Sequence, residues 1–171
     1  MEEYQLYTTM GAGFESVVAK ELQSLDYETT TENGRVFFKG GQKDIVRCNL
    51  WLRTADRVKI LLKEFMAKDF STLYDETYAY DWAMLLPVDA AFPVKGRSVR
   101  SKLHSEPDVQ SIVKKAIVDK MAAQYHRRGK LPESGSLYQL DVHIYKDTVR
   151  LSLDTTGESL FKRGYRIEHG G

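Results

Sequence analysis

The dipeptide Asn33-Gly34 lies between two β-prone segments, residues 27–32 and 35–39. Asn-Gly is typical of a tight hairpin turn, because both residues tolerate the left-handed backbone angles that such turns use. The two segments are therefore predicted to pair as antiparallel neighbours. This direct connection argues against a doubly wound α/β fold, which needs a crossover helix after its second strand.

Helical and strand patterns surround this hairpin. Apolar residues recur at helical spacing over 14–25 and again over 45–52, and β-prone segments occupy 4–8 and 57–66. The resulting order of strand, helix, strand, strand, helix and strand is that of a ferredoxin-like domain. We predict such a domain over residues 1–67.

The pattern restarts after the first 67 residues. We expect a short helix over 70–79, a short strand over 92–95, a longer helix capped by Ser105, and a hairpin over 137–153. The predicted fold class is therefore α+β, with a ferredoxin-like domain followed by a second, α/β domain over residues 68–171.

The net charge of +1 conceals an asymmetry along the chain. Residues 1–90 hold 10 Lys and Arg against 15 Asp and Glu, whereas residues 91–171 hold 15 against 9. A polyanion would be expected to bind the second, basic half. Chance segregation of surface charge is the alternative.

The basic residues of the second half fall into four groups. The segment 96–104 contains Gly and Ser and no acidic residue, so we expect its residues 97–104 to form a loop that faces a polyanion, with Ser98 and Ser101 as hydroxyl donors. Two lysines lie opposite the apolar stripe of the long helix, three cations follow that helix, and three more lie near the end of the chain. For the first two cations after the helix, interaction with the helix dipole is an equally good explanation. The candidate phosphate contacts are Arg97, Arg100, Lys102, His104, Lys114, Lys115, Arg127, Arg128, Lys130, Lys162, Arg163 and Arg166.

A possible cofactor loop, Gly11-Ala12-Gly13, precedes the first predicted helix, and Glu32 follows at the end of the next strand. A nucleotide or S-adenosylmethionine site would use such a turn. The third small position is Ser16 instead of Gly, and the first strand is polar and alternating, unlike a strand buried on both faces. We therefore expect a plain strand-to-helix turn and no cofactor in this chain.

No catalytic or metal-binding pattern is recognisable elsewhere. Asp154 could be a catalytic acid, but an acidic residue at a strand-to-turn transition is usually a turn former. Four scattered histidines and the single Cys48 have no metal-ligand spacing. One cysteine, no signal peptide and no apolar run of membrane-spanning length predict a cytoplasmic protein without a membrane partner.

Several segments resemble the THUMP module. They are S-x-L-H over 101–104, K-A-I-V-D over 115–119, and L-D-T-T-G-E-S-L over 153–160 followed by K-R-G-Y-R over 162–166. Together with N-L-W-L-R-T-A-D-R over 49–57, they make the whole chain similar to the N-terminal region of bacterial large-subunit rRNA guanine-N2 methyltransferases. In that family, a ferredoxin-like and a THUMP domain precede a Rossmann-type methyltransferase domain.

The resemblance implies an RNA-binding module that docks structured RNA, in particular large-subunit rRNA, for the methyltransferase domain of the parent chain. Family members continue into that domain, with an N-P-P-[YF] motif and S-adenosylmethionine as cofactor, whereas this sequence has no Asn-Pro dipeptide. The resemblance therefore implies no catalytic residues and no enzymatic activity for the chain itself. A regulatory or dimeric ferredoxin-like domain that binds a small molecule, and a small enzyme that uses the Gly11–Ser16 turn, are the alternatives.

Overall fold

The computed structural model describes residues 3–51, 57–128 and 130–155. The chain forms two compact units. Of the described residues, 3–51, 57–61 and 153–155 belong to the first unit, and 62–128 and 130–152 belong to the second. The proposed boundary between residues 67 and 68 stays a prediction.

The first unit has the predicted order of elements. These are β1 (Tyr4–Thr9), α1 (Glu15–Ser24), β2 (Thr30–Glu32), β3 (Arg35–Gly40), α2 (Gln42–Trp51) and the beginning of β4 (Arg57–Met66). The strands are arranged in the order β2-β3-β1-β4, and each neighbouring pair is antiparallel. Side chains of β1, β3 and β4 and the apolar stripe of α1 form the buried core, which includes Leu6, Val18, Leu22, Val36, Phe38 and Ile60.

The hairpin between β2 and β3 forms at Asn33-Gly34, as predicted. Gly34 has a φ of +77°, a conformation that favours glycine. β2 is shorter than the predicted segment 27–32, because the residues after α1 complete the end of that helix. The N–H of Tyr27 donates to the carbonyl of Leu22 (3.1 Å), and the strand begins three residues later.

The second unit contains the end of β4, α3 (Phe70–Tyr78), α4 (Trp82–Leu85), β5 (Val94–Val99), α5 (Glu106–Gln124), β6 (Leu140–Tyr145) and β7 (Thr148–Asp154), of which residues 148–152 belong to this unit. Its strands are arranged in the order β4-β7-β6-β5, and β5 is parallel to β6. α5 packs against α3 and against one face of β5 and β6. The core between them includes Leu73, Val109, Val113, Ile117, Met121, Val142 and Ile144.

Three elements of this unit differ from the sequence-based expectation. Residues 82–85 form a helix of four residues, too short to show a helical period. The short strand expected over 92–95 is instead β5, which runs from Val94 to Val99 because six of its residues pair with β6. Leu137 forms only an isolated bridge to Ala91, so β6 begins at Leu140.

The fold class predicted from the sequence, α+β with a ferredoxin-like first part, is confirmed by these elements. None of the helices in the described part of the chain is both long and apolar enough to span a bilayer.

Candidate nucleic-acid interface

The segment 97–104 is not the flexible loop that its composition predicted. Arg97 and Ser98 lie within β5, and only the residues after Val99 form the turn that leads to α5. The hydroxyl of Ser98 donates to the carbonyl of Leu103 (2.5 Å), and that of Ser101 donates to the carbonyl of Val99 (2.8 Å). The predicted donation of these hydroxyls to phosphate is therefore wrong, because their hydrogens are used within the protein.

The turn between β5 and α5 is bonded to the turn between β6 and β7. The N–H of Lys102 donates to the Asp147 carboxylate (2.8 Å), and the N–H of Lys146 donates to the carbonyl of Val99 (3.2 Å). Arg100, at φ +49°, holds the left-handed conformation that this tight turn needs. The backbone is fixed in this way, while the side chains of Arg100, Lys102 and Lys146 are exposed. We call these three residues the turn cations.

β5 adds two further cations to the same part of the unit. Lys95 and Arg97 are two residues apart, so their side chains share one face of the strand, and both are exposed. The opposite face carries Gly96, where a Cβ atom would lie 2.7 Å from Cγ of Gln110 in α5. α5 therefore covers the Gly96 face, and Lys95 and Arg97 lie on the face that α5 does not cover.

The uncovered face continues onto β6. In the parallel register, Lys95 lies beside Asp141, Arg97 beside His143, and Val99 beside Tyr145. Paired residues of neighbouring strands project to the same side of a sheet. Tyr145, the last residue of β6, is 44% exposed. We define the β5 face as Lys95, Arg97, His143 and Tyr145.

The two adjacent lysines of α5 have different surroundings. Lys114 Nζ donates to the carbonyl of Phe92 (2.9 Å) and to Oε1 of Glu133 (2.6 Å), and it lies 3.6 Å from the centre of the Phe92 ring. Lys115 is 68% exposed in its side chain and forms one ion pair, with Asp119 at 3.2 Å. Lys114 therefore has an internal structural role, whereas Lys115 is accessible to a ligand.

The cations that follow α5 lie away from the turn cations. Arg127, Arg128 and Lys130 are exposed and follow the C-terminal end of α5, whereas the turn cations lie near its N-terminal end. The 19 residues of α5 correspond to about 28 Å at 1.5 Å per residue. The predicted phosphate contacts thus form two separate clusters. Lys162, Arg163 and Arg166 lie outside the described residues.

His104 is exposed and follows Lys102 in the turn that leads to α5. The sequence-based choice of residues omitted Lys95 and Lys146. Lys95 could have been found from the alternation of Lys95, Arg97 and Val99 once the strand was extended to residue 99. Lys146 had no comparable signal, because it comes near Val99 only through the pairing of β5 with β6 and the bond between the two turns.

The Gly11–Ser16 turn is already occupied by a carboxylate of the protein. Glu15 accepts hydrogen bonds from the backbone N–H groups of Gly13 (2.7 Å) and Gly34 (2.8 Å). The N–H groups of Gly34, Glu15 and Gly13 together lower the pKa of the Glu15 carboxyl. An open groove of about 540 Å3 lies beside it, lined by residues that include Ser16, Lys20 and Asn33. Since Glu15 places a carboxylate on the Gly13 N–H, which a phosphate at this turn would use, the turn is poorly suited to a nucleotide.

Asp154 is the last residue of β7 and is buried in the first unit. Its carboxylate lies 2.7 Å from Nη1 of Arg57, and the side chains of the two residues are 4% and 52% exposed, respectively. The next residue, Thr155, donates from its hydroxyl to the carbonyl of Val58 (2.7 Å). Asp154 is thus held in an ion pair at the end of the sheet, a role that its position in the sequence did not indicate.

Burial raises the pKa of the Cys48 thiol to about 11, which makes it a poor nucleophile. Within residues 3–51, 57–128 and 130–155 there is no group of three or more His, Cys, Asp or Glu residues able to hold a metal ion.

Two family models match the chain in succession. Residues 5–59 match the RlmL ferredoxin-like domain, and residues 67–154 match the THUMP domain. The THUMP match therefore contains the turn cations and the β5 face.

Curated relatives are similar along almost the whole chain. The chain is 45% identical to the "Putative RNA methyltransferase YpsC" of Bacillus subtilis, over all of this chain and 45% of that protein. It is 31% identical to the ribosomal RNA large subunit methyltransferase K/L of Syntrophotalea carbinolica, over 96% of this chain and 23% of that protein. The chain spans less than half the length of these relatives.

Solved structures are also similar along almost the whole chain. A crystal structure from Listeria monocytogenes, described as a predicted N6-adenine-specific DNA methylase, has a TM-score of 0.88 and 49% identity, and covers all of this chain and 45% of that one. SMU.472, described as "a putative methyltransferase complexed with SAH", has a TM-score of 0.87 and 48% identity, over 97% of this chain and 45% of that one.

Proposed function

The chain belongs to the THUMP domain family, and from this we propose that it is the RNA-docking module of an RNA methyltransferase. The observation that carries the proposal is the set of exposed cations in the second unit, held on a fixed backbone by the bonds between its two turns. Such cations bind the phosphate backbone, and a fixed arrangement of them selects the shape of a folded RNA.

We further propose the contacts of this module. The turn cations and Arg97 form the principal contact, with His104 beside them, and Lys115 extends it along α5. Arg127, Arg128 and Lys130 form a second contact about one helix length away. Two separated clusters suit a ligand that spans the unit, as a structured RNA does, better than a small anion.

The proposed parent enzyme transfers a methyl group from S-adenosylmethionine to the exocyclic N2 of a guanine in large-subunit rRNA, in the cytoplasm. Its methyltransferase domain is the proposed partner of this chain and supplies the cofactor site. Support comes from the K/L methyltransferase relative and from the neighbour solved with SAH. The chain itself is proposed to have no catalytic residue, because it matches the RlmL ferredoxin-like and THUMP domains and Glu15 accepts a hydrogen bond from the Gly13 N–H of the G-x-G turn.

The proposal is tested by titrating labelled fragments of large-subunit rRNA with the chain at two salt concentrations. We expect affinity in the micromolar range that falls steeply with salt, because each phosphate contact releases counterions. Absent or salt-independent binding would contradict the proposal. A duplex DNA of equal length separates the RNA assignment from the DNA methylase description of the Listeria neighbour, since equal binding to both would remove the preference for RNA.

Calorimetry with S-adenosylmethionine tests the alternative functions. We expect no heat of binding for the chain alone. A measurable signal that disappears on substitution of Ser16 or Lys20, which line the groove beside Glu15, would favour a small-molecule or enzymatic role for the first unit.

A further inference from the structure

Tyr145 is an aromatic residue that the core of the second unit does not use. In β6, Leu140, Val142 and Ile144 are buried on the α5 side, whereas the ring of Tyr145 lies on the uncovered face and is 44% exposed. The ammonium group of Lys146 lies near this ring, with Nζ 5.3 Å from the ring centre. We propose that Tyr145 is a stacking platform for an unpaired base of the bound RNA. This inference rests on the proposed function.

The surroundings of the ring favour a nucleotide. Arg97 and His143 are paired in register two positions back along their strands, on the same face as Tyr145, and Arg100 follows Val99 at the end of β5. Two positions along a strand correspond to about 7 Å, so cationic side chains are within reach of a phosphate attached to a stacked base. Aromatic rings beside a cationic groove are the arrangement by which proteins bind single-stranded nucleic acid.

Of the acidic residues near this face, Asp141 lies toward the other end of its strand, and Glu64 is paired with Arg150. Asp141 is beside Lys95, four residues before Tyr145, and Glu64 is 2.7 Å from Nε of Arg150. The turn at the Tyr145 end also contains Asp147, whose carboxylate accepts the hydrogen bond from the N–H of Lys102. The charge around the ring is therefore mainly positive.

The geometry also defines which part of an RNA the residue recognises. In a duplex the faces of the bases are covered by their neighbours, so a protein ring can stack only on an unpaired or terminal base. The turn cations bind phosphates of a helix, and Tyr145 would then recognise an unpaired nucleotide beside it. The ligand class is a helix with a single-stranded extension, loop or bulge, in contrast to a continuous duplex.

The test uses the whole chain and two RNA hairpins of the same stem. One is blunt, and the other carries a short single-stranded extension with 2-aminopurine, whose fluorescence reports stacking. We expect the extended hairpin to bind about 5- to 100-fold more tightly than the blunt one, with a change in fluorescence on binding.

Three variants make the test specific. In Tyr145→Ala the preference for the extended hairpin and the fluorescence change should both disappear, whereas Tyr145→Phe keeps the ring and should retain both. Phe14→Ala is the matched control, because Phe14 is an exposed aromatic residue (53%) of the first unit, and it should behave as the unsubstituted chain.

Equal affinity of the unsubstituted chain for both hairpins, or a preference that survives in Tyr145→Ala, would overturn the stacking role. If the blunt hairpin is still bound in a salt-dependent way, the docking function stands and only the stacking role is wrong. If neither hairpin is bound, both the docking function and the stacking role are wrong.

Discussion

Substitution of Lys114 and Lys115, one at a time, by methionine should separate a structural lysine from an RNA-binding one. Methionine keeps the length and apolar character of the side chain and removes the charge. Lys114→Met loses a charged hydrogen bond to the Phe92 carbonyl, an ion pair with Glu133 and a contact with the Phe92 ring. Lys115→Met loses one exposed ion pair with Asp119.

The expected magnitudes follow from these contacts. A hydrogen bond from a charged group contributes about 1.5–3 kcal/mol, and a cation over a ring about 0.5–1 kcal/mol. Lys114 is 31% exposed, so solvent screening reduces these values, and we expect a loss of about 2 kcal/mol in the free energy of unfolding. An exposed ion pair between residues four apart on a helix contributes about 0.3–0.5 kcal/mol. The loss in the free energy of unfolding of Lys115→Met should therefore not exceed this range.

Urea unfolding and RNA titration measure the two effects separately. With a slope of about 1–3 kcal/mol per molar urea, Lys114→Met should shift the midpoint downward by about 1 M. Its RNA affinity should be unchanged under conditions where it is folded. Lys115→Met should keep the midpoint and reduce the salt slope of RNA binding by about 0.9, the value for one phosphate contact. A stable Lys114→Met, or the reverse pattern of effects, would refute the reasoning.

Three further predictions concern stability. Arg57→Met should lower the free energy of unfolding by about 2 kcal/mol, because it removes the Arg57 ion pair from the buried Asp154 carboxylate. Asp154→Asn should cost about half as much, since Arg57 is half exposed. Chemical denaturation of both variants measures the difference, and equal losses would contradict it. Gly96→Val should destabilise the second unit by about 2–3 kcal/mol, because the valine side chain would collide with Gln110 in α5. Thermal unfolding of the variant measures this loss. An unfolding temperature equal to that of the unsubstituted chain would show that α5 can move away from the new side chain. Asp69 caps α3, and the hydrogen bond from the Thr72 N–H lowers the pKa of its carboxyl. The stability that Asp69 contributes is therefore present above the unfolded pKa of about 4 and is lost as the pH falls through the lower folded pKa. The free energy of unfolding of Asp69→Ala should approach that of the unsubstituted chain in acid, and a difference between the two that does not narrow would exclude capping.

Local signals in the sequence were sufficient for most of the fold. The Asn33-Gly34 turn, the apolar stripe of α5 and the alternation of β1 each depend on residues within a few positions of one another, and all three elements form as predicted. The order of elements in the first unit follows from them.

The sequence-based predictions were wrong where the structure depends on contacts between distant parts of the chain. The cations and serines of 97–104 have the composition of a loop, but pairing with β6, some 46 residues further on, makes the first part of this segment a strand. The same pairing brings Lys146 to the turn cations. Arg57 and Asp154 are 97 residues apart, and nothing in the sequence near either residue indicates their ion pair.

The candidate site was predicted in part. The sequence identified the basic half of the chain and most of its exposed cations, because charge composition does not depend on the fold. It could not separate Lys114 from Lys115, since both lie outside the apolar stripe and only Phe92 and Glu133 distinguish them. The separation of the turn cations from Arg127 and Arg128 likewise requires the direction and length of α5.

The most direct test of RNA docking compares two triple variants of equal charge. Arg97→Ala, Arg100→Ala and Lys102→Ala together remove three cations of the proposed interface, whereas Lys20→Ala, Lys39→Ala and Lys43→Ala remove three exposed cations of the first unit. The measured quantity is the slope of log affinity for an rRNA fragment against log salt concentration. We predict that the interface variant loses about 2–3 units of slope and most of its affinity at low salt, while the control variant changes little. Equal losses in the two variants, or no loss in the first, would contradict the account.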